Sequence, residues 1–205
     1  MKEARETPSA STRAAIVAEA DRLIYERGFA ATSITHIAEA VGIARGNLTY
    51  HFKSKDAVLE AVILARLGAT SQMLEAWEAE ARTPAGRIRR YMHILIANRR
   101  KILPHGCPVG TLSTELAKLD HPALSHAAEV FSLFRDWLRL LFGQMGYGAA
   151  EADALAMHVL VLSQGVATLA NAFQDEAFLR REVARMDDWL DGVVKAAPHH
   201  RETGE

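Results

Sequence analysis

Apolar residues in this chain recur three and four positions apart over most of its length, and nowhere is there sustained apolar–polar alternation of a strand. The pattern predicts an all-α protein. Thr12–Arg27 places Ile16, Ala20, Leu23 and Ile24 on one face, and Gly28 stands just past the end, where a helix is commonly closed. Residues 1–10 are expected to be a disordered lead-in and 198–205 a tail. Two short helices, over about 34–40 and 44–51, flank Gly42, and a long one runs from Asp56 to Ala81. Thr83-Pro84 then caps and opens a helix over about 84–102, with Ile88, Tyr91, Met92, Leu95 and Ile96 on one stripe. Pro104-His105-Gly106-Cys107-Pro108-Val109-Gly110 reads as a loop. A helix over about 111–119 follows, and His121-Pro122 opens another that reaches Met145 through Leu124, Ala127, Phe131, Phe134, Leu138 and Leu141. The last two helices, about 150–173 and 176–196, are separated by Gln174-Asp175. The boundary falls near residue 55, where short helices give way to long ones. Residues 1–55 are expected to form one domain and 56–197 a larger helical one.

The short helices carry the most specific signal. Ile34, Ile37, Ala38 and Val41 can pack inward, as can Ile43, Leu48 and Phe52, while Gly42 supplies the tight turn between them. Arg45, Gly46, Asn47, Thr49 and Tyr50 are left on an outward surface of the second helix. This is the pattern of a helix-turn-helix, whose second helix enters the major groove of DNA. Arg45 can donate to a guanine edge or a phosphate, and Asn47 can pair bidentately with adenine. Gly46 permits a close approach, and Thr49 offers either a methyl or a hydroxyl. Tyr50, His51 and Lys55 are placed for phosphates, which fix register without reading sequence. Ser33 and Thr35, at the start of the first short helix, complete the candidate DNA-contacting set.

Composition adjusts this picture without overturning it. Across 205 residues, 24 Lys and Arg stand against 25 Asp and Glu, so DNA binding through bulk charge is excluded but a local site is not. Residues 1–55 hold eight basic and six acidic residues, too small a surplus for one copy to bind tightly, so two copies are needed. A single Cys excludes an internal disulfide and a cysteine-rich zinc module. No apolar run approaches the roughly 18 residues of a membrane span, and the first residues lack the apolar stretch of a signal peptide. A cytoplasmic protein with no membrane partner is expected.

The run Ala31-Thr32-Ser33-Ile34, Ile37-Ala38-Glu39-Ala40-Val41-Gly42-Ile43 and Arg45-Gly46-Asn47-Leu48-Thr49-Tyr50-His51-Phe52-Lys53-Ser54-Lys55-Asp56 resembles the N-terminal domain of TetR/AcrR-type transcriptional repressors. The likeness covers about residues 12–60; the rest is similar in layout alone, that of an all-helical ligand-binding and dimerisation domain. The resemblance implies phosphate contacts at Thr32, Tyr50, His51 and Lys55 and base reading by residues 45–49. The chain departs from the family's pattern at His36, where an acidic residue often completes a capping box with Ser33, and at Ala44, where Ser or Thr often caps. Both helices are thus expected to lack a cap, at about 1 kcal/mol each.

Other constellations admit blander readings beside functional ones. Arg87, Arg89, Arg90, Arg99, Arg100 and Lys101 read as a solvated face, or else as a second nucleic-acid patch. Tyr91, Met92, Leu95, Cys107, Phe131, Phe134, His158 and Leu162 are candidate lining for an effector cavity, each also explicable as core. His121 and His126 lie about 140° apart around a helix, so they share no ligand face, and neither metal nor cofactor is expected. Cys107 follows three basic residues and precedes a helix start, both of which favour a reactive thiolate. Relatives of similar layout sense electrophiles through a cysteine in this region, so the resemblance permits a thiol sensor; the alternative is an inert buried Cys. Val159, Leu162, Val166 and Leu169, with Met186 and Leu190 of the last helix, are the candidate dimer interface.

These readings converge on a homodimeric, ligand-responsive regulator, a repressor released from a pseudo-palindromic double-stranded DNA operator by a small apolar or electrophilic effector. An enzyme is not expected. The rival of another class, a helical thiol-dependent or small-molecule-modifying enzyme, finds no phosphate loop, nucleophile elbow or paired carboxylates to support it.

Overall fold

The structure, a computed structural model, describes residues 8–198. Ten helices and no strands form among the described residues: α1 (Pro8–Arg27), α2 (Ile34–Val41), α3 (Arg45–His51), α4 (Lys55–Glu80), α5 (Pro84–Ala97), α6 (Arg99–His105), α7 (Pro108–Lys118), α8 (Leu124–Gln144), α9 (Ala149–Phe173) and α10 (Glu176–Ala196). The expected all-α class is what the chain adopts. Helix α1 begins at Pro8, inside the stretch expected to be disordered, because a proline in the first turn has no N–H to lose. Residues 1–7 and 199–205, which carry the remainder of the expected lead-in and tail, lie outside the described residues.

Two local expectations are corrected. The single helix foreseen over 84–102 is two, because the chain breaks at Asn98 (φ −99°, ψ 10°). Helix α6 then runs through Pro104 and stops at Gly106, so the stretch foreseen as a loop is helical except at Gly106 and Cys107. Pro104 is tolerated because the helix ends two residues later, and α9 secures that end. Asn171 Nδ2 and Gln174 Nε2 both donate to the Leu103 carbonyl, at 2.6 and 2.5 Å.

The chain forms two compact units. The first runs to Gly68 and adds Thr111–Ala127. It extends beyond residue 55, where the sequence suggested a boundary, because the opening turns of α4 bury Val58, Leu59, Val62 and Ile63 in the same core. Ile16, Ala20, Leu23 and Ile24 of α1, Ile37 and Ala38 of α2, and Leu48 and Phe52 complete that core with Leu112 and Leu116 of α7. Each fully buried Leu or Ile contributes about 1.5–3 kcal/mol relative to exposure, enough to fix α2 and α3 despite their shortness.

The second unit comprises Ala69–Gly110 and the chain from Ala128 onwards. Arg87 closes the C-terminal end of α4 by donating to the Ala81 and Glu78 carbonyls, both at 3.0 Å. Trp77 of α4 and Trp137 of α8 pack with ring centroids 5.9 Å apart. Helix α10 buries Leu179, Val183, Met186 and Leu190, and Arg89 and His93 of α5 both bond to its Asp187. By length and composition alone, α4 and α9 are long and apolar enough to cross a membrane, although neither is an unbroken apolar run. Both place apolar residues in the cores described above, and α9 buries Ala152, Ala156, Val159, Leu160 and Val166.

Candidate nucleic-acid interface

Helix α2 is capped after all. Ser33 Oγ accepts from the His36 N–H at 3.1 Å, and His36 Nδ1 accepts in return from the Ser33 N–H at 3.3 Å. The imidazole does what a carboxylate was expected to do, so no cap is lost here. Gly42 ends the helix with φ +77°, a left-handed conformation that turns the chain into α3. Helix α3 is different: Ala44 provides no side-chain cap, as its chemistry dictates.

Three features of α3 each work against helix stability. Its N-terminus is uncapped, its first residue is the cation Arg45 at the positive end of the helix dipole, and its second is Gly46. A Cβ at Gly46 would meet nothing within 4 Å, so nothing in the protomer calls for glycine there. An alanine would stabilise an exposed helix position by about 1 kcal/mol. The helix is held instead by Leu48, wholly buried beneath it. The start of α3 is thus positive, without a side-chain cap and low in side-chain bulk.

The expected contact residues divide into free and committed groups. Arg45, Gly46 and Asn47 are exposed, and Tyr50 is 73% exposed with its ring against that of His51. Thr35 is exposed on the first turn of α2. Thr49 turns its hydroxyl back to the Gly46 carbonyl at 3.0 Å, which leaves its methyl as the outward group. Ser33 is committed to the cap. Thr32 is buried, and its hydroxyl donates to the Gly28 carbonyl at 2.7 Å, so it shapes the turn rather than facing outward. Lys55 is half-buried, donates to the Phe29 carbonyl at 2.9 Å and lies 4.1 Å from the centre of the Phe29 ring.

One cation escaped the sequence reading. Arg13 of α1 lies over the ring of Phe52, 4.7 Å from its centre, directly beyond the end of α3. Like Arg45 and Lys53, it is an exposed cation at or next to α3. No local motif flags it, because the pairing joins residues 39 positions apart in the chain.

In the second unit, part of the expected effector lining comes together. Tyr91 and Phe134 pack with centroids 5.0 Å apart, and the Tyr91 hydroxyl and Ser163 Oγ share a 3.1 Å hydrogen bond. Burial pushes the Tyr91 phenol well above its ordinary value, with the Ser163 bond opposing, so it stays neutral. Cys107 is half-buried and receives a 3.5 Å hydrogen bond from Gln164 Nε2. Gly110 stands beside it, where a methyl would come within 2.5 Å of Gln164 Oε1. Of the cations expected to activate the thiol, Arg99 is paired with Glu176 at 2.8 Å. Met92 and Leu95 are buried, and Phe131 and Leu162 are half-buried. His158 does not join this group; it is exposed and packs on Trp189, with centroids 4.9 Å apart.

Of the residues expected at a dimer face, Val159, Val166, Met186 and Leu190 are buried within the protomer, where they serve the packing of α9 and α10, Leu162 is half-buried and Leu169 is exposed. The face of α9 left outside carries Met157 (40% exposed), Val161 (61%), Leu169 (44%) and Phe173 (71%). Sequence periodicity could not separate two apolar faces on one helix.

Residues 16–62 match the family described as bacterial regulatory proteins, tetR family, and residues 84–185 match the C-terminal domain described as transcriptional regulator LmrA/YxaF-like. An uncharacterised HTH-type transcriptional regulator of Lactococcus lactis is 27% identical over 60% of this chain and 63% of its own length. The HTH-type transcriptional regulator TtgR of Pseudomonas putida is 32% identical over 47% of this chain and 50% of its own. The match thus spans about half to three-fifths of these curated relatives. Among solved structures, a TetR transcriptional regulator from Legionella pneumophila superposes with a TM-score of 0.75 at 25% identity, covering 85% of this chain and 94% of that one.

Proposed function

Given that the chain belongs to the TetR family and is a DNA-binding transcriptional regulator rather than an enzyme, we propose that it is a cytoplasmic homodimeric repressor of a pseudo-palindromic operator, released by a small apolar or electrophilic effector. The start of α3 carries the DNA-reading part of this proposal. Its bare positive end, exposed Asn47 and outward Thr49 methyl form a surface with donors and acceptors for base edges in the major groove. Arg13, Lys53, Tyr50 and His51 flank that surface and suit phosphates.

The outward stripe of α9 supports pairing of two copies, since Met157 to Phe173 extends over about 24 Å of helix. The Tyr91–Phe134 pair, with the neutral phenol, Ser163 and the Gln164–Cys107 contact, supports an effector that is apolar in body with one or two polar groups. An electrophile would be taken by Cys107 Sγ. Release then requires only that the effector bind one conformer of the dimer better than the other. The test is selection of bound sites from random duplexes by the purified protein at fixed salt. Two half-sites in inverted repeat, one helical turn or a multiple apart, are expected. Recovery of unrelated sequences, or of single half-sites, would refute the reading.

A further inference from the structure

Gly28 closes α1 with φ +90° and spends its N–H on the Ile24 carbonyl. The next two N–H groups, of Phe29 and Ala30, receive a carboxylate from 86 and 85 residues further along the chain. Glu115 Oε2 accepts from Phe29 at 2.7 Å and Oε1 from Ala30 at 2.8 Å. Consecutive main-chain N–H groups at such a turn make a cradle for an anion, and here the protein's own side chain fills it. The fit is close, because a Cβ on Gly28 would lie 3.0 Å from the Glu115 carboxylate.

The other links of this turn are also taken. Lys55 at the start of α4 donates to the Phe29 carbonyl, the Thr32 hydroxyl donates to that of Gly28, and His121 meets the Phe29 ring edge-on at 5.2 Å. The turn leads directly into the Ser33 cap and α2, against which α3 is set by Gly42. Leu112 and Leu116 already supply the apolar packing of α7. A half-buried carboxylate adds desolvation cost that a well-packed apolar side chain would avoid, so packing does not account for Glu115.

We propose that Glu115 is a positioning residue for operator binding, fixing the α1–α2 turn, and through it the reading helix, without touching DNA. The proposal rests on the DNA-reading role of α3. Loss of the carboxylate leaves two N–H groups unpaired and spreads the turn over several conformers. Apparent affinity then falls by the fraction that remains competent.

The experiment compares full-length wild type with E115Q, which keeps the volume but turns an NH₂ group toward the N–H donors. The duplex is the one selected by the wild type. E115Q is expected to bind it at least roughly tenfold more weakly, the scale of one lost charge-assisted hydrogen bond. The selected sequence and the salt slope should stay unchanged, and amide exchange should accelerate at Phe29 and Ala30 but not at Leu23 and Ile24. Binding within twofold of wild type overturns the proposal. So does an altered salt slope or sequence preference, which would put Glu115 at the DNA surface, or a general rise in exchange, which would make it a fold residue. Should the wild type select no site, the DNA-reading role fails, and equal exchange at Phe29 and Ala30 in the two proteins would still overturn the lock by itself. If E115Q does not fold, free exchange of those two amides in the wild type overturns it equally.

Discussion

Val161→Arg should convert the protein to monomers, and the size of the effect can be worked from exposure. Met157, Val161, Leu169 and Phe173 stand 40, 61, 44 and 71% exposed on one face of α9. Full burial of such side chains is worth about 1.5–3 kcal/mol each, so completing it here yields roughly 5 kcal/mol per protomer and roughly 10 for a symmetric pair. Association itself costs about 4–15 kcal/mol, so a dimer on this face has only a modest surplus. In the proposed dimer, Arg at 161 removes about 1 kcal/mol of apolar burial per protomer and brings one uncompensated cation from each copy into the interface, each at a cost of several kcal/mol. A loss of about 4 kcal/mol or more weakens dimerisation at least roughly a thousandfold. Sedimentation velocity over a concentration series reads this directly, and circular dichroism checks that the helices persist. Because Val161 is exposed in the protomer, the fold should be unaffected. An unchanged dimer would refute the assignment of this face and move the interface elsewhere.

Arg45→Ala and Asn47→Ala should each cost roughly 1–3 kcal/mol at particular base pairs, whereas Arg13→Ala should weaken all sites alike and flatten the salt dependence by about one unit. An unchanged sequence logo for the first two, from site selection, would contradict the reading face. Gly46→Ala should raise helix stability by up to about 1 kcal/mol yet weaken operator binding, because the added methyl stands where the groove approaches. A melting curve and a titration check the pair of signs, and tighter binding would contradict close approach. Gly110→Ala should push the flexible end of Gln164 off Cys107 with little loss of stability, and so change the effector response but not basal DNA binding. An unaltered dose–response would exclude this corner from the effector site.

The fold was legible wherever one apolar stripe met one polar face. Helices α2 and α3 and the turn at Gly42 could be read because short helices in a small unit have a single inward side, and Leu48 and Ile37 fill it. Longer helices were less transparent. Helix α9 has an inward stripe through Val159 and Val166 and an outward one through Val161 and Phe173, and periodicity alone assigns either to the interface. The Pro and Gly residues of 104–110 make that stretch look like a loop, but the side-chain amides of Asn171 and Gln174, about seventy residues away, hold the α6 end that runs through Pro104. At the proposed DNA-reading surface the exposed residues were legible from the motif, but their commitments were not. Thr32 and Lys55 bond to the main chain of the α1–α2 turn, and Glu115 and Arg13 find partners far away in sequence. Long-range bonds of this kind leave no local signature.

A chain with a net charge of −1 must bind DNA through geometry as much as through charge. Among the described residues, the exposed cations at or next to the proposed reading helix are Arg13, Arg45 and Lys53, whereas Lys55 is tied to Phe29. If each neutralised one phosphate, a single copy would contribute a salt slope of about −2.7, characteristic of weak and mostly non-specific attachment. In the proposed dimer, two copies joined through α9 would double the slope, and the second head would bind at the high effective concentration created by the first. The free energies of the two half-sites then add, while the entropy of bringing protein to DNA is lost only once. This makes the dimer geometry the sensitive control point. In the proposed dimer, a change in the spacing of the heads that costs one half-site would remove about half the binding free energy and about half the free energy of discrimination, with no DNA-contacting residue itself changed.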